Sequence, residues 1–181
     1  MLHDDGVNQV NSTMKSGVDA WYKHYILEDY DDYIEDTIFC NDRSIRALNG
    51  WNPDGGMTNA YLQFKECNVT SDLSCANTTD QFSISNNNAK LTYKVGLMSS
   101  PEMNILYNSR ARKTGQYYWL ASPGYFDRYG AGGRYVSTGG DMSGGRLDDS
   151  VGVRPAVSLT PGIEYSDGDG SMANPYKVEL G

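Results

Sequence analysis

The sequence predicts an α+β fold in which two helices come first and a strand-rich second half follows. Apolar residues recur at intervals of three and four near the N-terminus, whereas short apolar runs separated by turns follow Thr114. Fourteen Tyr and twenty Gly, with few Lys and Glu, are typical of a loop-rich, β-containing extracellular domain. The chain has 181 residues, enough for one core, and we expect residues 1–181 to form a single domain.

The first helix is predicted over residues 7–27. One face of it would carry Val10, Met14, Val18, Trp21, Tyr22 and Tyr25. The acidic stretch that follows, residues 28–36, is interpreted as a packed segment with a solvated acidic side rather than as a metal cluster. Residues 36–44 then form a strand-like run, and residues 50–56 a tight loop.

The middle of the chain, residues 58–90, has no clean period and is predicted to be a long excursion with short strands. The second helix is predicted over residues 100–108. Ser99 or Ser100 would cap it, Pro101 would lie in its first turn, and Glu102 would complete a capping box.

Five features build the strand-rich half. Residues 116–123 are predicted as a buried strand that Pro123 ends, and Ser122 to Tyr135 as an aromatic, glycine-rich loop. A hairpin is expected around Gly139 and Gly140, and two further strands at residues 152–159 and 174–180. Trp119 is expected in the core, and Arg154 as a buried arginine bonded to backbone carbonyls or to a carboxylate.

Charge and motifs exclude several function classes. The net charge of −8, without a Lys or Arg cluster in the sequence, argues against nucleic acid or an anionic membrane as partner. The motifs GxGxxG, P-loop, HExxH and paired CxxC do not occur, and a catalytic triad would have to use His24, which we expect to face solvent. We therefore predict neither an enzyme nor a cofactor.

Five stretches carry a family resemblance: "DTIFCNDRS", "GWNPDGG", "YYWLASP", "VGVRPAVSL" and "SDGDGSMANPYKVE". Together they resemble bacterial and phage surface domains of the C-type lectin-like fold, over about residues 10–181. The resemblance implies two helices packed on short antiparallel sheets. It also implies a surface location, and because the start of the chain is unlike a signal peptide, we expect a leader or anchor upstream of Met1.

The same fold includes formylglycine-generating enzymes and the variable proteins of diversity-generating retroelements. The enzymes use cysteines late in the chain, whereas the last cysteine here is Cys75, which argues against oxidase activity. In the variable proteins a C-terminal stretch is rewritten at template adenines, and such mutagenesis of AAC codons cannot yield Lys, Glu, Gln, Met or Trp. From Leu120 to Thr160, Met142 is the only residue that belongs to these five types. Since a glycine-rich β region is poor in Lys and Glu anyway, diversification of residues 119–155 stays open.

We predict a ligand-binding display module on a bacterial or phage surface, with an unknown protein or glycan as partner, no direct membrane contact and a monomeric state. Its candidate ligand-binding residues are Tyr125, Phe126, Asp127, Arg128, Tyr129, Arg134, Tyr135, Asp141, Arg146 and Asp148. All of them except Phe126 and Asp148 are expected to converge on one exposed face. Two alternatives stay open: the aromatic rings pack under the loop, or a pilin-like or decoration subunit uses this face for assembly.

Three cysteines leave one thiol over in an exported protein. We predict a disulfide between Cys40 and Cys75, with Cys67 left over, because that pairing closes the larger ring and matches the cysteine pattern of the resembling domains. The alternative is that all three are reduced. The run Asp167 to Ser171 is interpreted as a glycine-rich turn rather than a calcium loop, and no metal site is predicted.

Overall fold

The computed structural model describes residues 12–45, 57–60 and 73–180. The first residues of the predicted N-terminal helix, the loop predicted at residues 50–56 and the thiol of Cys67 lie outside these ranges.

The described residues form two α-helices, three short 3-10 helices and ten strands, which confirms the α+β class. The helices are α1 (Thr13–Tyr25) and α2 (Ser100–Ile105), and the 3-10 helices cover Asp31–Tyr33, Thr78–Asp80 and Arg110–Arg112. The strands are β1 (Ile34–Glu35), β2 (Phe39–Cys40), β3 (Thr58–Asn59), β4 (Gln81–Phe82), β5 (Tyr118–Asp127), β6 (Gly130–Val136), β7 (Met142–Arg146), β8 (Ser158–Leu159), β9 (Glu164–Asp167) and β10 (Lys177–Glu179).

Helix α1 packs along one face. Val18 and Tyr22 are buried with Ile34 and Val95, whereas Tyr25 is 59% exposed, so the apolar face is narrower than predicted. The Tyr22 hydroxyl donates to Asp31 at 2.6 Å. This bond, together with a weaker effect of Lys94, lowers the pKa of Asp31, and burial raises the pKa of Tyr22.

Helix α2 begins with the predicted capping box. The Ser99 hydroxyl accepts from the backbone N–H of Glu102, and the Glu102 carboxylate accepts from the backbone N–H of Ser99. These bonds satisfy the amide groups at the helix start, so the helix can be short and still direct Met103 into the core.

The main sheet has four antiparallel strands in the order β3-β5-β6-β7, and three two-stranded sheets join β1 with β8, β2 with β4 and β9 with β10. On one side of the main sheet, Tyr118, Val136 and Met142 lie directly opposite one another. Leu120 and Met103 complete this cluster, which we call the sheet base. Trp119 lies on the other side and is 3% exposed, which confirms its predicted core position.

The prediction that Ser122 to Tyr135 form a loop is wrong. Strand β5 continues past Pro123 to Asp127, and β6 returns along it after a turn of only two residues. The pairing register shifts on both sides of Pro123. Proline has no N–H to donate, but a register irregularity tolerates that loss, so Pro123 does not end the strand.

The Cys40–Cys75 disulfide is present, as predicted. It ties β2 to the segment that precedes β4, the strand with which β2 pairs. Arg154 differs from its prediction in one respect: its Nη1 donates to the backbone carbonyl of Ala111 at 2.6 Å, but the side chain is exposed rather than buried.

Strands β9 and β10 form a hairpin that is exposed on both sides. Gly168 (φ +103°) and Gly170 (φ +74°) provide the left-handed backbone of the predicted glycine-rich turn. Within the described ranges, no three or more His, Cys, Asp or Glu side chains come together as a group that could hold a metal ion. No helix in those ranges is long and apolar enough to cross a membrane.

Candidate functional site: the tip of the long hairpin

The turn between β5 and β6 projects two large side chains, Arg128 and Tyr129. The Asp127 carboxylate accepts a hydrogen bond from the backbone N–H of Tyr129 at 2.8 Å, as in an Asx turn. Gly130 follows with φ +134°, a conformation that favours glycine. Local sequence therefore fixes this turn without help from the core.

Arg146, at the end of β7, fastens the turn to the sheet. Its Nη2 donates to the Tyr129 carbonyl at 2.7 Å. Its Nε and Nη2 also donate to the two carboxylate oxygens of Asp148, each at 2.9 Å. This bidentate hydrogen bonding to Arg146 lowers the pKa of Asp148, so the carboxylate stays ionised and the clamp stays formed.

Arg128 and Tyr129 also contact each other. The Arg128 guanidinium lies over the Tyr129 ring, 4.8 Å from its centroid, and its Nη2 donates to the Tyr129 hydroxyl at 2.6 Å. Tyr129 is nevertheless 63% exposed. An exposed, positioned pair of this kind offers a ring face, a hydroxyl and a cation to a ligand.

Tyr125 supports the turn from one side of the sheet. Its ring lies over Gly132, where any side chain would overlap it. Arg146 stands opposite Gly132 on the neighbouring strand, so Tyr125 and Arg146 share this side. We call the set formed by Tyr125, Asp127, Arg128, Tyr129, Arg146 and Asp148 the hairpin tip.

The expected convergence of eight residues on one face is wrong, because Tyr135 and Asp141 lie away from the hairpin tip. Arg134 follows Gly132 by two residues on β6, so it lies on the same side of the sheet as Tyr125 and Arg146. Arg134 and Tyr135 are neighbours on a regular strand, and successive side chains of a strand point to opposite sides. Phe126 is half-buried opposite Thr58 and Ala131. Asp141 lies in the turn between β6 and β7, at the other end of the strands from the hairpin tip.

Tyr135 belongs to an aromatic group that the sequence did not single out. Its ring makes edge contacts with Trp119 at 5.9 Å and with Tyr117 at 5.6 Å, measured between centroids. Trp119 is buried, while Tyr117 is 48% exposed. Side chains alternate between the two sides of the sheet along β5 and β6. A prediction of paired strands for this stretch would therefore have separated the aromatic group from the hairpin tip.

Two further features lie away from the hairpin tip. His24 is exposed on α1, as predicted, and its ring meets the Tyr25 ring edge-on at 4.4 Å. A cavity of about 190 Å³ lies beside the disulfide, with Asp42 and Glu102 among its lining residues. The Glu102 carboxylate is already engaged in the capping box, so it is held in place there.

Comparison with known proteins assigns the family only. Residues 63–161, more than half of the chain, match the family described as a domain of unknown function (DUF6273). No curated protein and no solved structure matches the sequence.

Proposed function

We propose that this chain, which belongs to the DUF6273 family, is a ligand-binding display module that captures a protein or glycan with its hairpin tip. The observation that carries the proposal is the exposure of Arg128 and Tyr129 on a turn that local bonds hold in place. Tyrosine and arginine dominate binding hot spots because they offer large contact areas and directional bonds. A turn that is already ordered loses little entropy when a ligand binds.

A C-type lectin-like fold and an extracellular location belong to the same proposal. The resemblance of the sequence motifs supports the fold, as do the two helices and the short antiparallel sheets. The Cys40–Cys75 disulfide supports the location, because disulfides persist in oxidising compartments.

Diversification of residues 119–155 is the most specific part of the proposal. Every residue of the hairpin tip lies in this range and could vary with little effect on the core. Trp119 and Val136 lie in the same range but are buried, so their codons should be constant. The neighbouring genomic DNA tests this part: a reverse transcriptase gene and an imperfect repeat of these codons are expected, with mismatches concentrated at the tip codons.

Binding is tested with a matched pair of variants. Tyr129 and Tyr165 are similarly exposed, at 63% and 67%, but Tyr165 lies on β9, outside the hairpin tip. The fluorescently labelled domain is applied to a glycan array and to whole bacterial cells. We expect Arg128→Ser with Tyr129→Ser to abolish binding and Tyr165→Ser to preserve it, while each substitution changes the free energy of unfolding by no more than about 0.5 kcal/mol. Binding that survives the tip substitutions would refute the role of the tip.

A structural subunit is the second candidate, and the observation that favours it lies on the β9–β10 hairpin rather than on the face predicted for assembly. Tyr165, Tyr176 and Val178 are all exposed on the β9–β10 hairpin, which offers an apolar surface to a neighbouring subunit. We expect a monomer by light scattering at all concentrations. A stable oligomer that Tyr165→Ser dissociates and Tyr129→Ser does not would favour the structural subunit instead.

A further inference from the structure

A basic cluster lies at the end of the main sheet opposite the hairpin tip. Three of the four residues at positions 110–113 are basic, and Arg154 joins them through its bond to the Ala111 carbonyl. We call Arg110, Arg112, Lys113 and Arg154 the basic cluster. In a chain of net charge −8, this concentration of positive charge needs a physical explanation.

Two members of the cluster have partners within the fold. Arg110 pairs with Asp169 at 2.6 Å, and Arg154 is bonded to the Ala111 carbonyl with its guanidinium over the Tyr118 ring. Lys113 is exposed, and its side chain lies beside Gly140. The charges of these three residues are therefore paired, bonded or hydrated.

Arg112 is different because it is only 2% exposed. Its Nε and Nη1 are buried and have no hydrogen-bond partner within the part of the chain that the structure describes. The guanidinium lies over the Tyr107 ring, 5.3 Å from the centroid, and a ring quadrupole offsets only part of the hydration that a buried cation loses. Buried charges in folded proteins are ordinarily paired, and no anion among residues 12–45, 57–60 and 73–180 pairs with Arg112.

We propose that the basic cluster is a binding site for a carboxylate group of a ligand, with Arg112 as its main contact. A planar guanidinium matches a carboxylate in shape and carries the one unit of charge that a carboxylate neutralises. Tyr107, whose ring covers the Arg112 guanidinium, is 62% exposed, so the proposed ligand would enter by displacing this ring. Lys113 adds a second, exposed charge that attracts the anion.

The rest of this end of the sheet holds Arg112 in place. The Tyr118 hydroxyl donates to the Arg112 backbone carbonyl at 2.9 Å. Tyr118 belongs to the sheet base and starts β5, whereas the hairpin tip follows the other end of that strand. The proposed carboxylate site is therefore separate from the tip, and neither proposal depends on the other.

The test compares two sources of the same carboxylate. Sodium glucuronate represents an acidic sugar and sodium N-acetylglutamate an acidic protein side chain, with sodium chloride at equal ionic strength and neutral glucose as references. A ligand that binds only the folded state raises the Tm in a saturable way. We expect at least one of the two acids to do so, and the stronger one indicates the source.

The decisive variant is Arg112→Met, which keeps the long apolar stem over Tyr107 but removes the charge. We expect its affinity for the carboxylate to fall about tenfold or more, since a bond to a charged group is lost. Lys23→Met removes an exposed charge from α1, outside both proposed sites, and should bind like the unmodified protein. An equal Tm shift in Arg112→Met, or no saturable shift in the unmodified protein, would overturn the proposal.

A second readout separates this site from a merely structural arginine. Without any carboxylate, Arg112→Met should be at least as stable as the unmodified protein, because the substitution removes a buried charge and loses only the cation–π contact with Tyr107 among the contacts that the described residues make with this guanidinium. A lower Tm of Arg112→Met in chloride would also overturn the proposal, since it would mean that the folded chain already compensates the charge of Arg112.

Discussion

The two ends of the main sheet are built from the same three strands and differ in what holds their side chains. At the sheet base, Tyr118, Val136 and Met103 are each no more than 4% exposed and are held by apolar contacts. At the hairpin tip, Arg128 and Tyr129 are exposed and are held by hydrogen bonds and by the Arg146 clamp.

Under the proposed function, this difference separates stability from recognition along one pair of strands. Apolar burial at the base contributes free energy of unfolding, because each buried side chain is removed from water. Exposed ion pairs contribute little stability, but they restrict the positions of the groups they join. The proposed function requires a tip that is ordered enough to bind a ligand and whose sequence varies without unfolding the domain, and this division of contacts meets both requirements.

The largest expected effect is at the base. Met103 is 1% exposed and joins α2 to the sheet, so Met103→Ala leaves a cavity and should lower the free energy of unfolding by about 2–5 kcal/mol. Met172, at 75% exposure, supplies the control, and Met172→Ala should change it by no more than about 0.5 kcal/mol. Urea denaturation followed by tryptophan fluorescence measures both. Similar values for the two variants would show that the base does not anchor the sheet.

An intermediate effect is expected between the two ends, at Gly132. A Cβ atom there would overlap the Tyr125 ring, so Gly132→Ala must displace this ring and should cost about 1–3 kcal/mol. Gly144 lies on the adjacent strand, and a Cβ there would have no neighbour closer than 3.5 Å, the distance to Arg134 Nη1. Gly144→Ala should therefore be neutral or stabilise by up to about 1 kcal/mol.

The Gly132 prediction can be sharpened with a double variant. If the cost comes from the ring, Tyr125→Ala in the Gly132→Ala background should recover most of it, since the overlapping group is gone. A cost that persists after removal of the ring would assign the effect to the strand backbone. In that case Tyr125 would not support the hairpin tip as described.

Sequence reasoning succeeded where the signal is local. The capping box at Ser99 and Glu102 lies within four residues, and the turn around Gly139 and Gly140 is set by its glycines, of which Gly140 has φ +91°. The Cys40–Cys75 pairing is not local, but three cysteines allow only three pairings, and ring size together with the family resemblance selected one.

Sequence reasoning failed where contacts between residues distant in sequence determine the local structure. Pro123 ordinarily ends a strand, but pairing with β6 carries β5 past it. Interpreting Ser122 to Tyr135 as a loop hides the strand alternation that places Arg134 and Tyr135 on opposite sides of the sheet. The prediction of a chain without a Lys or Arg cluster is also wrong, because Arg110, Arg112 and Lys113 are nearly contiguous in the sequence. Only the contribution of Arg154 depends on the fold, in which it reaches the Ala111 carbonyl.

The smallest expected effect is the acid sensitivity of the hairpin tip. Hydrogen bonding to Arg146 holds the pKa of Asp148 below its usual 3.8 in the folded state. A depressed folded-state pKa gives stability that is present above the unfolded-state pKa and is lost as the pH falls through the folded-state pKa. Asp148→Asn should therefore make the fall in stability below about pH 4 slightly less steep.

Asp31 provides the comparison for that measurement. Its pKa is also lowered, first by the Tyr22 hydroxyl, and its side chain is 32% exposed against 66% for Asp148. Solvent and salt screen the more exposed ion pair more strongly. The fall in Tm on acidification should therefore change more in Asp31→Asn than in Asp148→Asn. Added salt should remove most of the effect that Asp148→Asn has on the fall in Tm. If Asp148→Asn gave the larger response instead, the tip clamp would contribute stability like the core, and the division between a stabilising base and a recognising tip would not hold.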